Sequence, residues 1–409
     1  MKASDKFPRL LYLADVPVES SYHGSALIYR LLQNYPPDKL RIVEGNLRNA
    51  LPDRRLVGVS YRLIKIGWKR PLYSRISPWT RLAYSYAVRW KIGSVERVLG
   101  NFQPEAVLTV AHDFLWMTAA RYARQHSLPL HLICHDDWAR AVSFPAPFRS
   151  WLEREFGQVY RQAASRLCVS PYMVEEYERR YGAKGTVLYP SRDPNTPVFD
   201  AVNGANVSIK RPFTVAYAGS LATIDYVRQL VVISQLLSDV GGRLLLFGPF
   251  DEKLLKAAGM NLTSVLAGGL LSSADLVRRL HKDADVLFLP MSFVASELDA
   301  MALNFPSKLT DYTASGLPLL IWGSKTSSAV KWAAIESGVA AVVTNPDPSK
   351  MAAMLKKLME DPNWRNELAT TSVTIGNKYF NPTAANEIFV SSLTRLNPAN
   401  AGSANPHAH

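Results

Sequence analysis

Short stretches that are apolar on both faces, each followed by a helix-like pattern, restrict the possible folds of this chain more than any other feature. Residues 10–14 (LLYLA), 41–44, 106–110, 130–134 and 166–169 read as strands, with helices at 25–33, 115–126 and 171–181. Strands buried on both faces belong to parallel sheets covered by helices on each side. The same rhythm returns at 213–218, 243–247, 286–289, 317–322 and 340–343, with helices at 226–237, 273–281 and around 349–360. Between the two series, 190–212 carries four prolines and little periodicity. The expectation is an α/β protein of two Rossmann-like domains facing across a cleft, with ligands outside the carboxyl ends of the strands. The expected segments are a first domain over 1–193, a linker over 194–212 and a second domain over 213–380. A closing helix at 381–396, packing back on the first domain, and a disordered tail at 397–409 complete the layout.

A chain of 409 residues is long for one core and suits two. No apolar run reaches the ~18 residues that span a bilayer, and the first residues lack a signal pattern. Cys134 and Cys168 both fall in apolar strand-like settings, which reads as buried free thiols in a reducing cytoplasm. The net charge of +13 is unevenly placed: residues 1–200 hold 29 basic and 18 acidic side chains, the remainder 18 and 16. The surplus therefore belongs to the first half.

In open α/β domains the loops after strands carry function. Residues 304–323 (NFPSKLTDYTASGLPLLIWG) read as a short helix opened by Pro306 and ended at Gly316, then a buried strand. Lys308 and Asp311 share one face of it. A lysine at a helix start suits phosphate, and a carboxylate one turn on suits two vicinal hydroxyls, a pairing that points to a nucleoside diphosphate. Gly219-Ser220 follows a strand and can present N–H groups to phosphate. Turns at Gly248 and at Gly269-Leu270 lie on the same expected edge, where they can flank a base. In the first half, Gly24 precedes a helix after the first strand. His112-Asp113 and His135-Asp136 end two other strands, and paired imidazole and carboxylate suit acid–base work. A metal on His112, His135 and Asp136 is the competing reading, although their spacing favours no ion.

These motifs, in this order, resemble GT-B glycosyltransferases, close to the retaining, nucleotide-sugar-dependent family 4. The resemblance rests on AYAGSL, LLLFGP, GGLLSSADLVRRLHKDADVLFLP and PSKLTDYTASGLPLL over 213–323, with YHGSALIYRLL, LICHDDW and CVSPYMVEEYERRYG in the first half. It implies that Asp311 holds the ribose, that Lys308 and Gly219-Ser220 hold the diphosphate, and that Gly269-Leu270 meets the base. Gly24 would border the donor phosphates and acceptor, and His135 the transferred sugar. It implies no metal, because basic side chains and helix dipoles stabilise the leaving diphosphate. The first acid of the family's pair is missing: Leu303 stands there, and Glu297 is the candidate replacement. The cations expected after the glycine turn are replaced by Ser220 and Asp225.

Residues 48–97 hold 12 basic and 2 acidic side chains, interleaved with Tyr61, Trp68, Tyr73, Trp79, Tyr84, Tyr86 and Trp90. One reading is an amphipathic helix with its aromatics packed inward. The other is an interfacial surface, including Arg62, Lys65, Trp68, Lys69 and Arg70, that meets anionic lipid or an anionic acceptor. No nucleic-acid-binding motif accompanies it. The expected activity is sugar transfer from a nucleotide diphosphate sugar to a saccharide or lipid-linked acceptor, in polysaccharide or surface-glycan assembly at the inner membrane face. A nucleotide-sugar epimerase and a non-catalytic nucleotide- or glycan-binding protein are its rivals.

Overall fold

A computed structural model describes residues 7–20, 23–201, 211–220, 223–250 and 252–395. They fall into two compact units, one running to Tyr189 and resumed from Thr383, the other Pro190–Pro382. The tail expected at 397–409 lies outside the described residues.

The first unit holds seven strands: β1 (Leu10–Ala14), β2 (Leu40–Gly45), β3 (Ser60–Ile64), β4 (Ala106–Val110), β5 (Leu130–Cys134), β6 (Ser165–Cys168) and β7 (Thr186–Val187). All pair in parallel in the order β3-β2-β1-β4-β5-β6-β7. The strand order reverses direction between β1 and β4, the switch point where open α/β sheets bind ligands. β1, β4 and β5 are buried at every residue, as their sequences require. On one face, Tyr12, Leu108 and Val110 pack against Ile28 and Leu31 of the helix His23–Leu32. Ala385, Phe389 and Leu393 of the helix Pro382–Leu393 join that same core. Cys134 and Cys168 are free, buried and opposite each other in register.

The second unit holds β8 (Thr214–Ala218), β9 (Arg243–Phe247), β10 (Val265–Gly269), β11 (Val286–Pro290), β12 (Leu319–Trp322) and β13 (Ala340–Val343). They too are parallel, in the order β10-β9-β8-β11-β12-β13, with the switch point between β8 and β11. Tyr217, Leu244, Phe288 and Trp322 form its core with Leu230 and Ile233 of the helix Ile224–Asp239.

Several local expectations need correction. Only Lys308–Tyr312 of the stretch 304–316 is α-helical, and Pro306 lies ahead of it, accepting from the Leu309 N–H. Gly316 does take the left-handed conformation, at φ 72°. The last helix ends at Leu393, short of 396. Residues 190–201 are fastened to the second unit. Arg192 donates to Thr310 O, Thr313 Oγ1 and Asn377 Oδ1, and Phe199 stacks on His281 with ring centroids 4.0 Å apart. Among the described residues no helix is long and apolar enough to cross a membrane.

Candidate functional site

The second unit's site grows from its switch point. β8 delivers Gly219 beyond its carboxyl end, and the Gly219 N–H donates to Phe247 O at the end of β9. Gly248 takes φ 149° and donates to Gly269 O, so the three glycine turns form one continuous edge. The five-residue helix Lys308–Tyr312 is pinned there by Tyr312, whose hydroxyl accepts from Ala218 N (2.7 Å) and donates to Phe288 O (3.2 Å). Its single tyrosine thus straddles the strands β8 and β11 that flank the crevice. Lys308 then lies directly over Gly219, where a Cβ would come within 2.2 Å of the lysine Cε. The ammonium sits 5.2 Å from the Tyr217 ring and 5.7 Å from the Tyr226 ring. Burial lowers its pKa to about 8, and among the described residues no carboxylate pairs with it. A desolvated cation without an anion is costly unless a ligand supplies the negative charge.

Lys308 and Asp311 reach different neighbours. Asp311 accepts from Ser273 Oγ at 3.4 Å, at the start of the helix Ser273–Asp283 that follows the Gly269-Leu270 turn. The order across the edge is therefore the Gly219 backbone under the Lys308 ammonium, then the Asp311 carboxylate, then an open turn with Leu270 exposed. Glu297 ends the turn Ala295–Glu297, with one carboxylate oxygen buried and no hydrogen-bond partner for it. Its charge bears on Tyr226, the ring that also faces Lys308, and helps burial raise that phenol's pKa. Leu303 is a buried core side chain. Asp225, at a position where a cation was expected, accepts from Phe293 N at 2.9 Å and from Ser292 Oγ at 3.3 Å. It braces the loop after β11.

The first unit gathers a second polar cluster at the ends of β1, β4 and β5. His112 Nδ1 and His135 Nε2 each lie 3.5 Å from Asp136 Oδ2, and the two rings are 5.5 Å apart. Burial lowers the His135 pKa to about 4, so its imidazole is neutral at pH 7. Burial alone would raise Asp136, but the close His112 ring and nearby positive charge bring it down to about 2. Gly24 lies against this cluster: a Cβ there would approach His135 Cε1 to 3.0 Å. Ligand atoms of His112, His135 and Asp136 all lie within 4.8 Å of one another, a spacing that also suits a metal ion. Two neighbours escaped the sequence reading. Asp15, directly after β1, accepts from the Phe114 and Leu115 N–H groups at 2.7 Å and so caps the helix Leu115–Gln125. Arg48 donates to Asp113 at 2.5 Å, holding a residue at φ 51°.

The basic aromatic segment does not pack all its rings inward. Tyr84 does turn in: its hydroxyl bonds both Trp68 N and O, and its ring meets Phe114 edge-on. Ile76, Trp79, Ala83, Tyr86 and Trp90 instead repeat at three- and four-residue intervals, and every one is exposed. They form one outward stripe along the helix Ser77–Ala87 and the turn after it. Trp68 and Tyr73 are also exposed, and so are Arg62, Lys65 and Arg70, while Lys69 is partly covered and bonds Asn49.

Comparison with known proteins agrees with this architecture. Residues 68–196 match the model of Glycosyltransferase Family 4. No curated protein matches the chain by sequence. The HepE protein of Anabaena, solved with UDP and glucose, superposes with a TM-score of 0.66 at 12% identity, over 95% of this chain and 100% of that one. Sucrose-phosphate synthase from Thermosynechococcus elongatus gives 0.65 at 14% identity, over 93% and 97%. An α,α-trehalose-phosphate synthase (UDP-forming) from Burkholderia vietnamiensis gives 0.64 at 14% identity, over 98% and 99%. The chain therefore has the two-domain GT-B fold of these structures, and over residues 68–196 it matches Glycosyltransferase Family 4.

Proposed function

We propose that this protein is a glycosyltransferase moving a sugar from a nucleotide diphosphate sugar to a saccharide or lipid-linked acceptor, in polysaccharide or surface-glycan assembly. The observation that carries this reading is the unpaired, desolvated Lys308 ammonium against the Gly219 backbone at the switch point. Lys308, Gly219 and Ser220 take the diphosphate, Asp311 the ribose, and Gly248, Gly269 and Leu270 the base. Departure of the nucleoside diphosphate builds negative charge on its phosphates, and a fixed cation stabilises that charge as it forms. UDP-sugars are the first donors to try, because the HepE structure holds UDP and glucose.

The second polar cluster serves the sugar and the acceptor. A neutral His135 imidazole offers a hydrogen bond without bringing a second positive charge, and Asp136 stays ionised beside it. Gly24, with no Cβ, lets that ring lie against the start of the helix His23–Leu32. The family 4 match favours retention of anomeric configuration. Because Lys308 supplies the electrostatic role, the transfer needs no metal: turnover is expected to survive exhaustive EDTA treatment, and its loss with recovery on adding a divalent ion would overturn this and reinstate His112, His135 and Asp136 as ligands.

Glu297 takes the sugar hydroxyls in place of the acid that Leu303 lacks. Glu297→Gln is expected to lower kcat/KM roughly 10- to 100-fold, the loss of a charge-assisted hydrogen bond, with UDP affinity unchanged. Near wild-type turnover would remove Glu297 from the site. Leu303 also favours a second reading, a protein that binds nucleotide or glycan without catalysis. A panel of nucleotide sugars separates the possibilities: slow release of free sugar and nucleoside diphosphate supports transfer, an isomerised donor means epimerase, and binding alone means a scaffold. In this reading the enzyme works at the cytoplasmic membrane surface, and the exposed stripe with its flanking cations supports it, because tryptophan and tyrosine suit the headgroup zone.

A further inference from the structure

Beside the aromatic stripe the first unit contains a cavity of about 240 Å³, lined by Arg89, Arg121, Arg124, Glu155 and Gln158 among others. Three guanidinium groups face one carboxylate. Glu155 pairs with Arg89, yet the Arg89 Nε–H remains buried without an acceptor. Among the described residues Arg121 makes one long bond, to Arg89 O at 3.4 Å, and Arg124 donates to the neutral Gln162 side chain at 3.0 Å. The cavity thus has donors and positive charge in excess of acceptors, and planar guanidinium forks match the oxygens of a phosphate.

The same arginines touch the stripe. The Arg89 guanidinium lies 4.9 Å from the Trp151 ring, which stacks on Tyr86, and Arg121 lies 5.7 Å from the ring of exposed Trp90. Charge inside the cavity and apolar rings at its rim are therefore continuous, the arrangement that a phosphate attached to acyl chains requires.

We propose that this cavity binds an unshielded phosphate ester, the headgroup of an anionic phospholipid at the surface on which the stripe rests. The proposal rests on the membrane reading above, and the two fail separately. The test uses the full chain and phosphatidylcholine vesicles doped with either phosphatidylglycerol or oleate to the same surface charge, with glycerol phosphate as the soluble probe. The wild type should prefer phosphatidylglycerol and gain thermal stability with glycerol phosphate. Arg121→Gln and Arg124→Gln change half-buried and exposed positions. Each should lower phosphatidylglycerol binding roughly fivefold, equalise the two vesicles, and lose the shift with glycerol phosphate, while melting as the wild type does in plain buffer. Trp79→Ala with Trp90→Ala should weaken both kinds of vesicle and keep the glycerol phosphate shift. Equal binding to both vesicles by the wild type, with no glycerol phosphate shift, overturns the phosphate site and leaves the membrane reading standing. A glycerol phosphate shift without vesicle binding overturns the lipid source and the membrane reading, leaving a site for a free phosphate.

Discussion

Lys308→Ala is expected to lower kcat/KM for the donor by roughly 30- to 150-fold, the worth of a charge-assisted contact to phosphate of about 2–3 kcal/mol. The same substitution should raise the melting temperature. The folded pKa of about 8 lies below the ordinary 10.5, so the stability tied to this group is full above about 10.5 and is lost as pH falls to about 8. At neutral pH the free protein carries a charged, desolvated lysine at a cost, which alanine removes. Donor affinity should fall as pH rises above about 8, because binding then needs the ammonium to regain its proton. Lys308→Arg should flatten that profile, since arginine stays protonated. Donor turnover reads the first effect, a thermal melt the second, and calorimetric titration with UDP across pH the third. A Lys308→Ala enzyme with unchanged UDP affinity and no gain in stability would refute the phosphate assignment.

Gly248→Ala is expected to be more damaging to the fold than any surface substitution near the site. A Cβ there would lie 2.3 Å from the Gly219 carbonyl oxygen and 2.7 Å from the Phe250 ring, on a backbone at φ 149°. The Gly219 carbonyl is backbone at a strand end and cannot swing aside as a side chain could. Strain of this kind costs about 1–3 kcal/mol before the clash is counted. Relief by shifting the Gly219 turn would move the contact that positions Lys308. The expected result is a lowered melting temperature together with weakened UDP binding. Gly269→Ala, which meets nothing within 4 Å, should keep more of both. Equal stability of Gly248→Ala and wild type would contradict the close packing of the two turns.

Much of the fold was legible because β1, β4, β5, β8 and β11 are buried throughout and their residues say so. β3 (SYRLI) and β10 (VLAGG) were not legible. β3 lies at the sheet edge with exposed Arg62 and Leu63, and β10 is largely exposed and ends in two glycines. Neither needs an apolar run, so neither shows one. The prolines of 190–201 read as a linker, although a single arginine, Arg192, finds its partners more than 100 residues away. No local pattern encodes that. Lys308 and Asp311 were visible as a cation and an acid on one face of a short helix, and His112, His135 and Asp136 as polar residues directly beyond apolar strands. Asp15 and Arg48 were harder, because their importance lies in the N–H groups and carboxylate they meet across the sheet. Glu297 shows the converse: the sequence supplies a carboxylate, and its buried, unpartnered oxygen appears only in three dimensions.

The helix Pro382–Leu393 closes the core of the first unit, although its residues follow the whole of the second. Synthesis therefore leaves the first unit with an open wall until the whole of the second unit has been made. Phe389, fully buried in the finished protein, is worth about 1.5–3 kcal/mol to that core. The second unit is one unbroken segment and can complete itself earlier, so the domain that begins first on the ribosome is the one that matures last.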